Sequence, residues 1–282
     1  MNMEQIIADG MEKDASDIHF IPSGKNVKIL MRKEGALEFY CDLDSFNYQS
    51  VLQKAKAMAQ MNISEKRLPQ DGILKMEGLS IRVSTLRSVQ GESLVLRLFT
   101  RELISLEKLG LNKDTMNALM ERVKNNMGIH LISGETGMGK STTMYALMMK
   151  LRDLNMKIIS IEDPVEREVE GIIQSQINEV SGFGYEKAIF AALRQDPDYI
   201  CIGEIRNAET ANAVIRAALT GHKVISTIHA KKYNNVLQRM TDLGINKEYL
   251  EMTLSSVINQ RLLIVEGRKK LDAKLDFAEN FR

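Results

Sequence analysis

Two regimes of hydrophobic patterning divide this chain. Through residues 1–100 the apolar positions come in short runs of period two, interleaved with two stretches of helical period, as in a small α+β unit. The pattern predicts a helix over 3–13 and a strand over 16–21. Strands over 27–31 and 36–40 form a hairpin around Lys33-Glu34-Gly35. A helix over 48–61 gathers Val51, Leu52, Ala55, Met58 and Ala59 on one face. A second hairpin joins 72–76 to 79–84 at Glu77-Gly78, and a strand over 94–99 closes the unit.

Residues 101–109 read as a linker, and 110–282 as a second domain. It opens with an amphipathic helix marked by Met116, Leu119, Met120, Val123 and Met127. Beyond it the period changes. Short apolar, β-branched runs at 129–133, 157–161, 199–203 and 223–228 alternate with helical stretches. Runs of that kind suit strands buried on both faces, so the expected class is α/β, with a mostly parallel sheet and crossover helices. The tail after Gln260 is charged and is expected to be weakly ordered.

Composition narrows the picture only by exclusion. With 38 Lys and Arg against 37 Asp and Glu there is no basic excess of the sort a nucleic-acid-binding domain shows, so no direct nucleic-acid partner is expected. Two cysteines, Cys41 and Cys201, lie far apart and in no metal-ligand spacing, which suits reduced thiols and no zinc. No apolar run reaches the roughly 18 residues of a membrane span, and acidic residues stand where a signal peptide is basic. The expected location is cytoplasmic, with any membrane role carried through a protein partner. The 17 methionines fall at helical spacings and read as core packing.

The chemistry begins at Ser133-Gly134-Glu135-Thr136-Gly137-Met138-Gly139-Lys140-Ser141-Thr142-Thr143. Gly134 to Ser141 fits the phosphate-loop pattern, with an apolar strand before it and a helix over 142–151 after it. Glycines let backbone N–H groups turn onto phosphate oxygens, and the helix start adds its positive end. Lys140 is expected to reach the β and γ phosphates and the Ser141 hydroxyl to hold Mg²⁺. The remaining expected nucleotide contacts are Gly134, Glu135, Thr136, Gly137, Met138, Gly139 and Thr142.

Three other strand-like runs end in polar residues: 158–161 in Glu162-Asp163, 199–203 in Glu204, and 224–228 in His229. In a parallel sheet ligands sit outside the carboxyl ends of the strands, so these groups should face the loop. A phosphate loop does not itself orient the attacking water. A carboxylate must do that, directly or through the metal. Glu204 is the first choice and Glu162 the second, and either suits the base. His229 is placed to contact the γ phosphate. Any one of these carboxylates is equally suited to capping a following helix, Asp163 above all. Charge developing on the transferred group is commonly met by arginine from another domain or subunit. Arg82, Arg87 and Arg97, on the last strands of the first domain, are the candidates; the plainer reading of each is a solvated face residue.

With these residues in place the chain resembles the secretion-superfamily ATPases that power type II secretion, type IV pili and competence pili. The likeness rests on Ala15-Ser16-Asp17-Ile18-His19, Gln70-Asp71-Gly72, Gly91-Glu92 with Arg97, the phosphate loop, Ile161-Glu162-Asp163-Pro164-Val165-Glu166, the segments 193–198 and 203–206, Gly221-His222 with 226–229, and Gln260-Arg261-Leu262. The resemblance implies a PAS-like α+β domain followed by a RecA-like domain, with ATP between them and a homo-oligomer, usually a hexameric ring. It implies Glu204 as the catalytic carboxylate, and Glu162, Asp163, Arg194, Arg206, His222 and His229 as supporting residues. It also implies action on an inner-membrane platform protein, which adds or removes pilins, from the inner face of the membrane.

Departures from the family pattern point to a branch. The chain opens directly on the first working domain, and two cysteines do not make the four-cysteine zinc module of the extension and type II enzymes. Asn207 stands where the family has aspartate, and His229-Ala230-Lys231 differs from the His-Thr-Asn of retraction enzymes, whose long C-terminal segment is unmatched. These features resemble most the competence-pilus assembly branch, with pilus retraction and type II secretion as close rivals. A DNA-directed RecA-like ATPase is the reading from another class, resting on the small basic patches Lys231-Lys232 and Arg268-Lys269-Lys270. A small-molecule kinase sharing only the loop is a third.

Overall fold

A computed structural model describes residues 2–33, 35–76, 79–98, 103–265 and 268–277. The chain forms two compact units, Met1–Glu102 with Glu166–Glu168, and Leu103–Val165 with Val169–Arg282. Glu34, Glu77, Gly78, Phe99 and residues 100–102, expected in two turns, a strand end and the linker, lie outside the described residues. So do the side chains of Arg268 and Lys269.

The first unit runs α1 (Met3–Glu12), β1 (Asp17–Ser23), β2 (Asn26–Lys33), β3 (Ala36–Asp44), α2 (Ser45–Met58), β4 (Gln70–Met76), β5 (Leu79–Ser88) and β6 (Gly91–Leu98). Its six strands lie in the order β3-β2-β1-β6-β5-β4, every neighbour antiparallel. Side chains alternate across the sheet. Ile18, Phe20, Ile29, Met31, Val83, Leu94 and Leu96 point to one face, where Ile6 and Ile7 of α1 and Tyr48, Val51 and Leu52 of α2 complete the core. Asn2 and Asp44 cap the two helices, each accepting from a backbone N–H at 2.9 Å. The alternate positions Asp17, Arg32, Arg82 and Arg97 share the opposite face.

One feature of this core is invisible to hydrophobic pattern. Lys56, on the inner side of α2, is 1% exposed and lies 2.5 Å from the buried carboxylate of Glu92. Its ammonium also donates to the Glu65 carbonyl at 2.7 Å, and the Tyr48 hydroxyl donates to the Glu92 carbonyl at 2.6 Å. A buried charge needs such partners; losing one leaves the other stranded.

The second unit runs α3 (Lys113–Asn125), β7 (Gly128–Gly134), α4 (Lys140–Arg152), β8 (Ile158–Glu162), β9 (Ile173–Gln176), α5 (Tyr185–Leu193), β10 (Tyr199–Ile205), α6 (Ala208–Leu219), β11 (Lys223–His229), α7 (Tyr233–Asp242), α8 (Lys247–Thr253), β12 (Leu254–Val265) and β13 (Arg268–Phe277). Its sheet order is β13-β12-β7-β11-β10-β8-β9. Every pairing is parallel except that of β13 with β12. Ile129, Leu131, Ile200, Ile202 and Val224 pack with α5 to α8 on one face. Ile132, Ile158, Cys201 and Ile225 pack with α3 and α4 on the other. Two-sided burial explains the nearly continuous apolar runs, β7 being buried at every position. This is the α/β class expected from the pattern.

The C-terminal expectation needs correction. The described residues after Gln260, 261–265 and 268–277, are not a loose tail: β12 and β13 form a long antiparallel hairpin in register from Ser256↔Phe277 to Val265↔Arg268, while 266, 267 and 278–282 lie outside the described residues. From Lys270 to Asp276 the charged positions of β13 alternate with Leu271, Ala273 and Leu275, so this stretch of the edge strand is polar on one side. Lysine on an edge strand is also a common guard against unwanted pairing. No described helix is long and apolar enough to cross a membrane.

Candidate nucleotide-binding site

The site grows out of the C-terminal end of the second sheet. β7 stops at Gly134, and α4 starts at Lys140. Gly134 is required by contact: a Cβ there would meet the Gln260 carbonyl oxygen at 2.5 Å. Gly139 is required by conformation, since it caps α4 with φ +78°, in the left-handed region. No side chain caps this helix start, so its first N–H groups stay available to an anion. Lys140 folds back over the loop, its Nζ donating to the carbonyls of Gly134 and Glu135 at 2.9 Å each. Desolvation lowers its pKa, and the Glu204 carboxylate acts in the opposite sense. Glu135 pairs with Lys231 at 2.8 Å, so half of the Lys231-Lys232 patch is spent on the loop itself.

The expected strand ends converge here. His229, the last residue of β11, stands in register opposite Gly134, and its ring is exposed beside the loop. Glu204 sits where the β10–β11 register shifts between Ile202 and Ile205, an irregularity that re-aims a side chain. Its Oε2 accepts from Arg206 Nε at 2.9 Å, and Arg206 Nη1 lies 3.7 Å from Asp163 Oδ2. Arg206 thus ties the ends of β8 and β10 together.

The two candidate bases differ sharply. Glu162 is 2% exposed and accepts from Ser160 Oγ at 2.7 Å, Gln174 Nε2 at 3.2 Å and Tyr145 Oη at 2.5 Å. Glu204 is partly exposed, and among the described residues Arg206 engages one of its oxygens. A carboxylate held by three neutral donors is a fixed structural acceptor, whereas Glu204 keeps lone pairs for a water. Burial also pushes up the pKa of the Tyr185 phenol, which Asp163, Glu162 and Glu204 reinforce and Arg206 opposes; it stays a neutral donor among these carboxylates.

Two expected residues of the second unit do not join this cluster. Arg194 ends α5 and precedes β10, and His222 precedes β11, its Nδ1 3.1 Å from Thr220 Oγ1. Both therefore lie at the opposite end of strands about 20 Å long. In the first unit Arg97 Nε donates to Asp17 Oδ1 at 2.8 Å, Arg82 lies 3.6 Å from Asp71, and Arg87 faces Glu92 in register. Asn207, the departure from the family's aspartate, accepts from Thr210 N at 2.9 Å and caps α6 as aspartate would.

Sequence reasoning missed Tyr145, Ser160, Gln174 and Tyr185. Tyr145 reads as a core position of α4, Gln174 belongs to the short strand β9, and nothing in their spacing announces a carboxylate partner. Gln260 was visible only as part of a signature without a role.

A family described as "Type II/IV secretion system protein" matches residues 1–274. The chain is 38% identical over 273 residues to type II secretion system protein E of Xanthomonas campestris pv. campestris, covering 95% of this chain and 47% of that protein. It is 38% identical over 267 residues to the type IV pilus assembly ATPase PilB of Thermus thermophilus, covering 93% of this chain and 30% of that one. The chain therefore spans half or less of the length of these relatives. Among solved structures, the pilus retraction motor PilT with bound ADP superposes with a TM-score of 0.78 at 27% identity, over 98% of this chain and 83% of that one. The motifs, the parallel sheet and these matches agree: the chain belongs to the type II/IV secretion system protein family.

Proposed function

We propose that this chain hydrolyses ATP and couples the reaction to mechanical work in a machine of the type II secretion and type IV pilus class. The observation that carries this reading is the placement of Lys140, Ser141, Glu204 and His229 at one end of one sheet, around an uncapped helix start. Backbone N–H groups of the loop and Lys140 hold the phosphates. Glu204 takes the proton from the attacking water, and Arg206 holds the carboxylate in place. Ser141, with Glu204 through water, would hold Mg²⁺, which supplies positive charge to the phosphate oxygens. The exposed His229 is the residue best placed to contact the terminal phosphate. Arg82, Arg87 and Arg97 are candidates to complete the site in a ring of copies.

Within the class, the finer reading is assembly of a competence pilus for DNA uptake, through a platform protein at the inner face of the membrane. The His229-Ala230-Lys231 box supports it. Lys231 is engaged with Glu135 beside the phosphate loop, which weakens the rival DNA-directed reading. Phosphate release from Mg-ATP by the purified chain, with and without DNA, tests the activity; strong stimulation by DNA would favour the rival. Deleting the gene and scoring transformation, pilus number and twitching tests the biology. Lost pili with lost uptake is the expected result, whereas excess pili would assign retraction.

A further inference from the structure

We propose that Gln260 is a positioning residue of the phosphate loop, acting through the main chain of Met138. This inference rests on the nucleotide reading of that loop. β12 spans Leu254–Val265 and pairs with β7 only as far as Asn259↔Ser133, one residue before β7 ends at Gly134. Beyond that point β12 continues, and what it borders is the loop.

The contacts along this extension are specific. The Gln260 carbonyl lies where a Cβ on Gly134 would be, 2.5 Å from it. The Gln260 amide Nε2 donates to the Met138 carbonyl at 2.7 Å and lies 3.4 Å from where a Gly139 Cβ would stand. Leu262 N–H donates to Met138 Sδ at 3.3 Å, and Asn259 Nδ2 donates to Ser133 Oγ at 2.8 Å. Met138 is thus held from the β12 side at both its carbonyl and its sulfur. A peptide whose carbonyl is tied back toward β12 has its neighbouring N–H groups set toward the opposite, phosphate-facing side.

Stability alone does not explain this glutamine. It is 2% exposed, and its Oε1 has no hydrogen-bond partner among the described residues. A buried, unpaired acceptor is unfavourable, and an apolar side chain of the same size would avoid it. What an apolar residue would lack is the donor to Met138. A fixed donor beside an unpaired acceptor suits a residue kept for loop geometry rather than for folding.

The test uses the full chain, a fluorescent methylanthraniloyl-ADP probe, and urea unfolding. Gln260→Met keeps the volume and removes both the unpaired oxygen and the donor. The expected result is an unfolding midpoint equal to or above that of the parent, with probe affinity weakened roughly tenfold. In turnover, KM should rise while kcat stays near the parent value, because the loss is in holding phosphates and not in the base. Gln260→Leu should behave in the same way. Parent-like affinity in both variants, alongside lost binding in Lys140→Ala, would overturn this inference and leave the nucleotide reading standing. A fall in affinity that only tracks a fall in stability would also overturn it. Failure of the parent chain to bind the probe would remove the nucleotide reading itself.

Discussion

The Tyr145 phenol donates to Glu162 Oε2 at 2.5 Å, and that bond separates the roles of two acids the sequence leaves tied. Glu162 is a buried anchor between α4, β8 and β9; Glu204, an irregular step along β10, is the acid open to water. We expect Glu204→Gln to retain Mg-ATP binding and lose about 10²–10⁴ in kcat. Glu162→Gln should lower stability by about 1–3 kcal/mol, because an amide cannot accept from all three donors. Single-turnover kinetics beside urea unfolding checks both. A Glu162→Gln protein of normal stability but no turnover would reverse the assignment.

The Lys140 ammonium donates to two loop carbonyls, so its removal should spare the fold and strip the phosphate contact. Lys140→Ala is expected to weaken nucleotide affinity by roughly 10- to 100-fold, the range of a hydrogen bond to a charged group. Titration with a fluorescent nucleotide measures it, and unchanged affinity would refute the role.

In the first unit Asp17 sits between Arg97 at 2.8 Å and Arg32 at 3.9 Å. Burial works to raise its pKa, but hydrogen bonds from Arg97 and Ser16 outweigh it and the net shift is downward. The folded state therefore favours the carboxylate. That contribution is present above the unfolded pKa and is lost as pH falls through the lower folded value. Because the Arg97 side chain is more than half exposed, the pair is worth only about 1 kcal/mol. A double-mutant cycle of Asp17→Asn and Arg97→Gln at pH 7 should return a coupling of about that size, shrinking in high salt.

His130 carries a second pH dependence, of opposite chemistry. It is 2% exposed on β7, its ring bonded to Ser256 Oγ at 2.8 Å. Burial pushes its pKa down to about 4; the Asn126 carbonyl opposes the shift, and Lys223 and Arg122 add to it. The folded state thus prefers neutral imidazole. Above the unfolded value near 6.5 the group is neutral in both states and contributes nothing to pH dependence. As pH falls from there toward 4 the unfolded state takes up the proton first, and stability drops by up to about 3 kcal/mol. Unfolding midpoints at pH 7.5, 5.5 and 4.5 should fall more steeply for the parent than for His130→Gln; parallel slopes would exclude His130 as the source.

Hydrophobic period and local motif were enough to predict the α/β class and the four central strands, and to mark out the loop at 134–141. Each depends on neighbours in sequence: apolar runs bounded by turns, glycines set against a lysine, and acids that end strands. Their convergence followed because parallel strands deliver their carboxyl ends to one side. The β12–β13 hairpin was not legible, since an edge strand with one polar side reads as a charged tail. Nor were Tyr145, Gln174 and Gln260 legible as parts of the site, or Lys56 as a core residue. Their partners lie 17, 12, 122 and 36 residues away in sequence. Sequence by itself determined the alternation of strands and helices and which polar residues end the strands, because those depend on short-range pattern. Only the tertiary structure decided which acid is locked and which is open, and what braces the loop, because hydrogen-bond partnership and burial are set by packing between distant segments.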